Sequence, residues 1–153
     1  MKKLLAGAIE LMILGSIFGC SGKIPSNLGV NNGRLAHCPD SPNCVSSQAD
    51  QQDEKHYIGP LTYHGTKETA LASIDRILAS SPRVTVVEQR KDYIHAEFKS
   101  AIMGFVDDVE FYFPDKKMIH VRSASRLGYS DLGANRKRIE RLRNLLNEQQ
   151  QED

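Results

Sequence analysis

The stretch Arg122 to Arg138, R-S-A-S-R-L-G-Y-S-D-L-G-A-N-R-K-R, joins a segment of alternating apolar residues to a long amphipathic segment. Its seventeen positions contain five Arg or Lys residues, three Ser, one Asp and one Asn. A plain connection from a strand to a helix needs about two to six residues and one capping side chain. The stretch therefore carries more polar chemistry than a connection requires.

The strand that leads into this stretch is predicted to pair with residues 105–113 as a hairpin. A register with Phe111 opposite Val121 keeps the apolar side chains on one side of the sheet, as burial requires. The same register sets Glu110 opposite Arg122. A shift of one residue would move the apolar set to the other side, so we predict this pairing.

Upstream, alternation predicts a short strand at 57–63 and two strands around a turn at 90–92, and a helix capped by Thr66 is predicted to run to about Ser80. The predicted fold is α+β and has two layers, with about five mostly antiparallel strands and two helices packed on one face. The opposite face is predicted to be a water-exposed or ligand-binding surface. Its side chains are His95, Glu97, Lys99, Asp108, Glu110, Tyr112, His120 and Arg122.

The last helix is predicted to begin just after Ser130 or Asp131, because a later start would put three cations in the first turn, against the helix dipole. Its apolar stripe then includes Asn135, whose buried amide needs hydrogen-bond partners or costs about 1–3 kcal/mol. The predicted buried stripe consists of Leu132, Asn135, Ile139, Leu142 and Leu146.

These elements predict one polar cluster at the corner between the hairpin and the last helix. In one interpretation, ion pairs and the Asn lock the helix to the sheet; in another, unpaired Arg and Ser groups bind an anionic or carbohydrate ligand of the cell envelope, or a protein partner. An enzymatic version would use the carboxylates, although Asp107 and Asp108 point to opposite sides of a strand. The candidate residues are Asp107, Asp108, Glu110, Arg122, Ser123, Ser125, Arg126, Asp131, Asn135, Arg136 and Arg138.

The N-terminus has two Lys residues, an apolar run at 4–18 and then Gly19-Cys20. This pattern resembles the bacterial lipoprotein signal, in which residues 1–19 would be removed and Cys20 acylated. The apolar run is short for a retained transmembrane anchor, which needs about 20 residues. Ser21 resembles the outer-membrane sorting pattern, and residues 20–34 are predicted to be a flexible tether. The expected location is the outer membrane, facing the periplasm.

Cys38 and Cys44 enclose five residues that include two prolines. In an oxidising compartment a disulfide is favoured, and closing so short a loop would stabilise the fold by about 2 kcal/mol. Two alternatives stay open at this point: a metal site with His37, which lacks a fourth ligand, and a nucleophilic Cys44.

Three motifs carry a family resemblance: C-P-D-S-P-N-C-V-S-S from Cys38, G-F-V-D-D-V-E-F from Gly104, and the stretch from Arg122 to Arg138. Over residues 35–146 the chain resembles the domain of unknown function 1499, a family of mostly bacterial secreted or lipoprotein-type domains. The resemblance implies a lipoprotein-type domain and supplies no reaction.

The 153 residues fit one globular domain, predicted at 35–149 with a frayed tail at 150–153. The net charge of +1 falls to about zero without residues 1–19, so nucleic acid is not expected as a partner. No cofactor and no metal are predicted. We expect a lipid-anchored envelope protein of unknown molecular activity, a non-enzymatic binding or assembly domain; the alternatives are a periplasmic hydrolase and a structural spacer.

Overall fold

The computed structural model describes residues 21–152, so the predicted signal peptide and Cys20 lie outside the described residues. Within this range the chain forms six strands and two helices, and the pairings between named strands are antiparallel. The elements are β1 Cys44–Ser46, β2 Leu61–Thr62, α1 Lys67–Ser80, β3 Val84–Arg90, β4 Tyr93–Lys99, β5 Val106–Tyr112, β6 Met118–Ser125 and α2 Ala134–Glu152. The sheet order is β1-β6-β5-β4-β3, and β2 also pairs with β6.

The β5–β6 hairpin has the predicted register. Phe111 lies opposite Val121 and Glu110 lies opposite Arg122. Both apolar residues are fully buried, which is the physical reason for this register, since a slip of one residue would exchange the two faces. The α+β fold class is confirmed, although the sheet has six strands because the short β1 and β2 both pair with β6.

Both helices pack on the apolar face of the sheet and close one core with it. The first helix begins where predicted, because the Thr66 side chain accepts a hydrogen bond from the Thr69 N–H while Thr69 caps Thr66 in return. Pro82 follows shortly after its end. The two helices contribute Ala70, Ile74, Ile77, Leu78, Ile139, Leu142 and Leu146 to the core.

The start of α2 differs from the prediction. Leu132 has a φ of 54° and Gly133 a φ of 79°, and a helix cannot continue through these left-handed conformations. The helix therefore begins at Ala134, and Leu132 is 88% exposed, so its placement on the buried stripe was wrong. The Asp131 carboxylate nevertheless accepts a hydrogen bond from the Asn135 N–H at 2.8 Å. At its other end α2 continues to Glu152, beyond the predicted domain boundary.

The face of the sheet opposite the helices, called the polar face below, was expected to be a water-exposed or binding surface. Its central side chains are instead buried, with Asp108 1% and Glu110 0% exposed. Residues 21–34, called the N-terminal segment, lie along this face: the Gly29 N–H donates to Glu110 Oε1 at 2.7 Å, and Gly22 packs beside Arg126. The centre of the face is therefore buried, whereas Lys99 at the end of β4 stays exposed as predicted.

Candidate functional site

Two adjacent residues of β5 divide the predicted cluster into two. Asp107 points toward the helices, where Arg138 Nη2 donates to Asp107 Oδ2 at 2.5 Å. Asp108 points toward the polar face, where Arg126 Nη2 donates to Asp108 Oδ1 at 2.7 Å. The sequence correctly separated the two carboxylates but wrongly predicted one cluster around them.

The helix-side cluster is organised by Asn135, which is fully buried. The Asn135 Oδ1 accepts hydrogen bonds from Ser123 Oγ and Arg138 Nη1, both at 2.6 Å. Its Nδ2 lies within 3.0 Å of the Asn43 carbonyl and of Ser125 Oγ. The amide therefore links the start of α2 to β6 and to Asn43, the residue before β1. This agrees with the prediction that a buried amide on this stripe needs hydrogen-bond partners.

Asp131 and Arg136 were predicted to form ion pairs in this corner, and neither does. Asp131 accepts from the backbone N–H groups of Gly133 and Asn135, so it acts as a helix cap. Arg136 donates through Nη2 to the backbone carbonyl of Glu54 at 3.0 Å. The structure thus brings Asp131 into the helix-side cluster and leaves Arg136 outside both clusters.

On the polar face, Arg126 forms the central charged fork. Its Nε and Nη2 both donate to the Asp108 carboxylate, at 2.8 and 2.7 Å, and Nη2 also donates to Glu97. The His95 Nε2 lies 2.7 Å from Asp108 Oδ1. Burial by itself would raise the pKa of Asp108, but the hydrogen bonds from Arg126 and His95 outweigh it, so the pKa is lowered.

Glu110 is the second buried carboxylate of the polar face. It accepts hydrogen bonds from the Gly29 N–H at 2.7 Å, from the Tyr93 hydroxyl at 2.8 Å and from Arg122 Nη1 at 3.2 Å. Burial, and then the charge of Glu110, raises the pKa of Tyr93. Arg122 is less well satisfied, because its buried Nε has no hydrogen-bond partner among the described residues.

Cys38 and Cys44 form the predicted disulfide, with a Cα–Cα distance of 5.6 Å. Both sulfurs are bonded, so neither is available as a metal ligand or a nucleophile in this state. The loop also positions Asn43. Its Nδ2 donates to the Gly128 carbonyl at 2.6 Å, and its backbone carbonyl accepts a hydrogen bond from Asn135 Nδ2. Within residues 21–152, no group of three or more His, Cys, Asp or Glu side chains is arranged to hold a metal ion.

Three participants were missed by the sequence analysis: Gly29, Asn43 and Tyr93. A signal existed for Tyr93, because strand alternation puts it on the same side as His95. The other two act through long-range contacts, Gly29 with Glu110 and Asn43 with Asn135, separated by 81 and 92 positions. No local pattern marks such contacts.

A Ser–His contact lies at the edge of the polar face. The Ser47 Oγ is 3.1 Å from His120 Nδ1, and it also accepts a hydrogen bond from the Val121 N–H at 2.9 Å. Burial lowers the pKa of His120, and the nearby cations Arg34 and Lys116 lower it further. The imidazole is thus held in its neutral form at neutral pH.

Two polar grooves flank residues 34–37. One, of about 590 Å³, lies between residues 34–38 and residues 46–56 and is called the 34–56 groove; the other, of about 600 Å³, lies along the N-terminal segment. The lining of the first includes Arg34, His37, Gln48, Asp50, Asp53 and His56. Both grooves offer room for a ligand beside polar side chains, whereas the charged groups at the centres of the two clusters are paired with one another.

The fold and these clusters define a class: a two-layer α+β domain in which buried networks of charged side chains occupy both faces of an antiparallel sheet. The chain belongs to the family described as "Protein of unknown function (DUF1499)", whose model matches residues 34–146. Searches of the curated proteins and of the solved structures found no match. Among residues 21–152, no helix has both the length and the apolar character needed to span a bilayer.

Proposed function

We propose that this protein is a lipid-anchored component of the bacterial cell envelope that acts as a non-enzymatic binding or assembly domain. The observation that supports this most is the pairing of the cations in its two clusters: Arg122, Arg126 and Arg138 are each held by a carboxylate. An enzyme site needs acid and base groups that converge in a recess and remain available to a substrate. In this protein the charged groups stabilise the fold instead.

The anchor in this proposal is Cys20 at the outer membrane, with the domain in the periplasm. It is supported by the sequence pattern before Cys20 and by Ser21. Acyl chains contribute about 0.8 kcal/mol per buried methylene, so a multiply acylated Cys would hold the protein at the membrane permanently. A Cys20→Ala variant is expected to leave the membrane fraction, and its retention there would contradict the anchor.

The binding surface in this proposal is the 34–56 groove. Arg34 and His37 are exposed at its wall, and Arg34 makes no ion pair with any described residue. An exposed guanidinium and an imidazole beside the carboxylates of Asp50 and Asp53 offer both hydrogen-bond donors and acceptors, which suits a carbohydrate or anionic ligand of the envelope.

The test is to purify the mature protein from its native envelope and to identify co-purifying molecules by mass spectrometry. The native chain and a Lys91→Ala control, which removes an exposed cation from the β3–β4 turn, are expected to enrich the same envelope component. An Arg34→Ala variant, shown by circular dichroism to be folded, is expected to lose it. Equal recovery with both variants would count against this groove.

One observation favours the alternative, a periplasmic hydrolase. Ser47 and a neutral His120 are in contact, as a nucleophile and a base would be. Against this, no carboxylate among the described residues bonds to His120, and Ser47 is 8% exposed. Turnover of ester substrates that a folded Ser47→Ala variant loses would establish the hydrolase instead of the binding domain.

A further inference from the structure

Most of the large apolar side chains that are exposed among residues 21–152 lie at one end of the sheet. At that end β4 and β6 finish and β5 begins, so residues 100–105 and 126–133 form neighbouring loops. The Arg126 N–H donates to the Val106 carbonyl at 3.1 Å and joins the two loops at their bases. Six of the eight large apolar side chains exposed within residues 21–152 lie here: Ile102, Met103, Phe105, Leu127, Tyr129 and Leu132.

The opposite end of the sheet has a different character. There the β3–β4 and β5–β6 turns present the charged residues Lys91, Asp115, Lys116 and Lys117 to solvent. Soluble domains scatter single apolar residues over their surface, whereas a concentration on adjoining loops marks a contact surface. Ile102 and Leu132, which are 94% and 88% exposed, have almost no packing within the domain.

The path of the chain links this end to the proposed anchor. A Cβ placed on Gly22 would lie 3.0 Å from the Arg126 Cβ and 3.1 Å from the Leu127 Cγ, so the backbone at residue 22 packs directly against the second loop. Cys20 precedes it by two residues, a span of at most about 7 Å for an extended chain. The adjoining Ile24 is also exposed, at 59%.

Cations lie beside the apolar loops. A groove of about 340 Å³ near the start of α2 is lined by residues that include Arg83, Lys99, Lys137 and Arg141. All four are exposed, and none forms an ion pair with a described residue. They differ in this respect from the buried arginines, which are matched by carboxylates.

We infer that this end of the domain, called the docking end, rests on the lipid bilayer. Apolar loop side chains beside free cations are the composition with which peripheral proteins enter the headgroup region and bind anionic lipids. The inference rests on the proposed function in one respect: acyl chains on Cys20 would enter the membrane beside these loops. The domain is then held in one orientation, with the charged turns of the opposite end facing the periplasm.

The absence of Trp from the sequence permits a direct test. In an Ile102→Trp variant the introduced indole is the sole Trp and reports the environment of the docking end. A Val87→Trp variant is the matched control, because Val87 is an exposed apolar residue, 47% accessible, on β3 and outside the loops. Each mature protein is purified from its native envelope and reconstituted in phosphatidylglycerol-containing vesicles with brominated acyl chains.

Quenching of at least about twofold is expected for Ile102→Trp, since interfacial apolar groups sink about 5–10 Å into the bilayer, and little quenching is expected for Val87→Trp. No quenching of the Ile102→Trp variant, or equal quenching of the two variants, would overturn the docking inference.

Mass spectrometry of the same samples tests acylation of Cys20 separately. Acylated protein without quenching leaves the proposed anchor intact and overturns only the docking. Unacylated protein overturns the proposed anchor. In that case the Ile102→Trp variant is mixed with added vesicles: quenching still supports the docking, and no quenching overturns it. The Ile102→Trp emission is also measured without vesicles. If it changes there because the protein self-associates, the surface binds a second copy of this chain, and the inference is overturned.

Discussion

Glu110 and Arg122 lie opposite each other on β5 and β6, with Arg122 Nη1 donating to Glu110 Oε2 at 3.2 Å, and both side chains are buried. The relationship is asymmetric. Glu110 also accepts from the Gly29 N–H and the Tyr93 hydroxyl, whereas the Arg122 Nε has no partner among residues 21–152. The charge of Glu110 is therefore the principal compensation for a buried guanidinium.

Replacing Glu110 by Gln is expected to lower the free energy of unfolding by about 3–5 kcal/mol, because it leaves the Arg122 charge buried without its counter-ion. The measurement is urea denaturation followed by circular dichroism. Glu140→Gln is the matched control, since Glu140 is exposed and its pair with Arg143, at 3.0 Å, should contribute about 0–1 kcal/mol. The double variant Glu110→Gln/Arg122→Met is expected to regain part of the loss, and similar losses for Glu110→Gln and its control would contradict this reading.

Replacing Asn135 by Ala is expected to reduce the free energy of unfolding by about 1–3 kcal/mol, because the buried Ser123 hydroxyl loses its acceptor and the Asn43 carbonyl loses one of its two donors. Denaturation of an Asn144→Ala variant provides the comparison, since Asn144 is exposed on the same helix. If both variants unfold at the same urea concentration, the buried amide does not hold α2 as described.

Reduction of the disulfide between Cys38 and Cys44 is expected to lower the free energy of unfolding by about 2 kcal/mol, the scale for so short a loop. The experiment compares urea midpoints with and without dithiothreitol. A Cys38→Ala variant serves as the control, because it has no disulfide to reduce and should show no shift on reduction. A shift of equal size in that variant would show that the reductant acts elsewhere.

Stability is expected to decrease as the pH falls below about 6.5, in part through His120. Burial and the cations Arg34 and Lys116 lower the pKa of His120 from its ordinary value of 6.5, so the unfolded chain binds a proton at a higher pH than the folded chain. Between the two pKa values, protonation of His120 therefore stabilises the unfolded chain and lowers the free energy of unfolding. The contribution of neutral His120 to stability is complete above pH 6.5 and is lost as the pH falls below it. Urea midpoints measured from pH 8 to pH 5 should decline less steeply in a His120→Gln variant; an unchanged slope would remove His120 as the cause.

Local patterns in the sequence predicted most of the elements. Strand alternation predicted the β5–β6 register and so the facing of Glu110 and Arg122, and two prolines between the cysteines favoured the disulfide. The helical repeat predicted the burial of Asn135, because Asn135 lies on the same face of the helix as the buried Ile139 and Leu142. The helical repeat failed at Leu132. Leu132 and Gly133 have left-handed backbone conformations, so the helix begins two residues later, at Ala134.

The sequence by itself determined which residues alternate, which helix faces are apolar and which two cysteines are close enough to bond, since each depends on spacings of a few residues. Only the tertiary structure decided that the N-terminal segment covers the polar face, that Asp107 and Asp108 join different networks, and that the apolar loops meet beside Gly22. These outcomes depend on contacts between residues dozens of positions apart. Such contacts form only when the complete sheet brings distant segments together. Each buried polar group then needs a hydrogen-bond partner, and this requirement decides which of the charged side chains pair with each other.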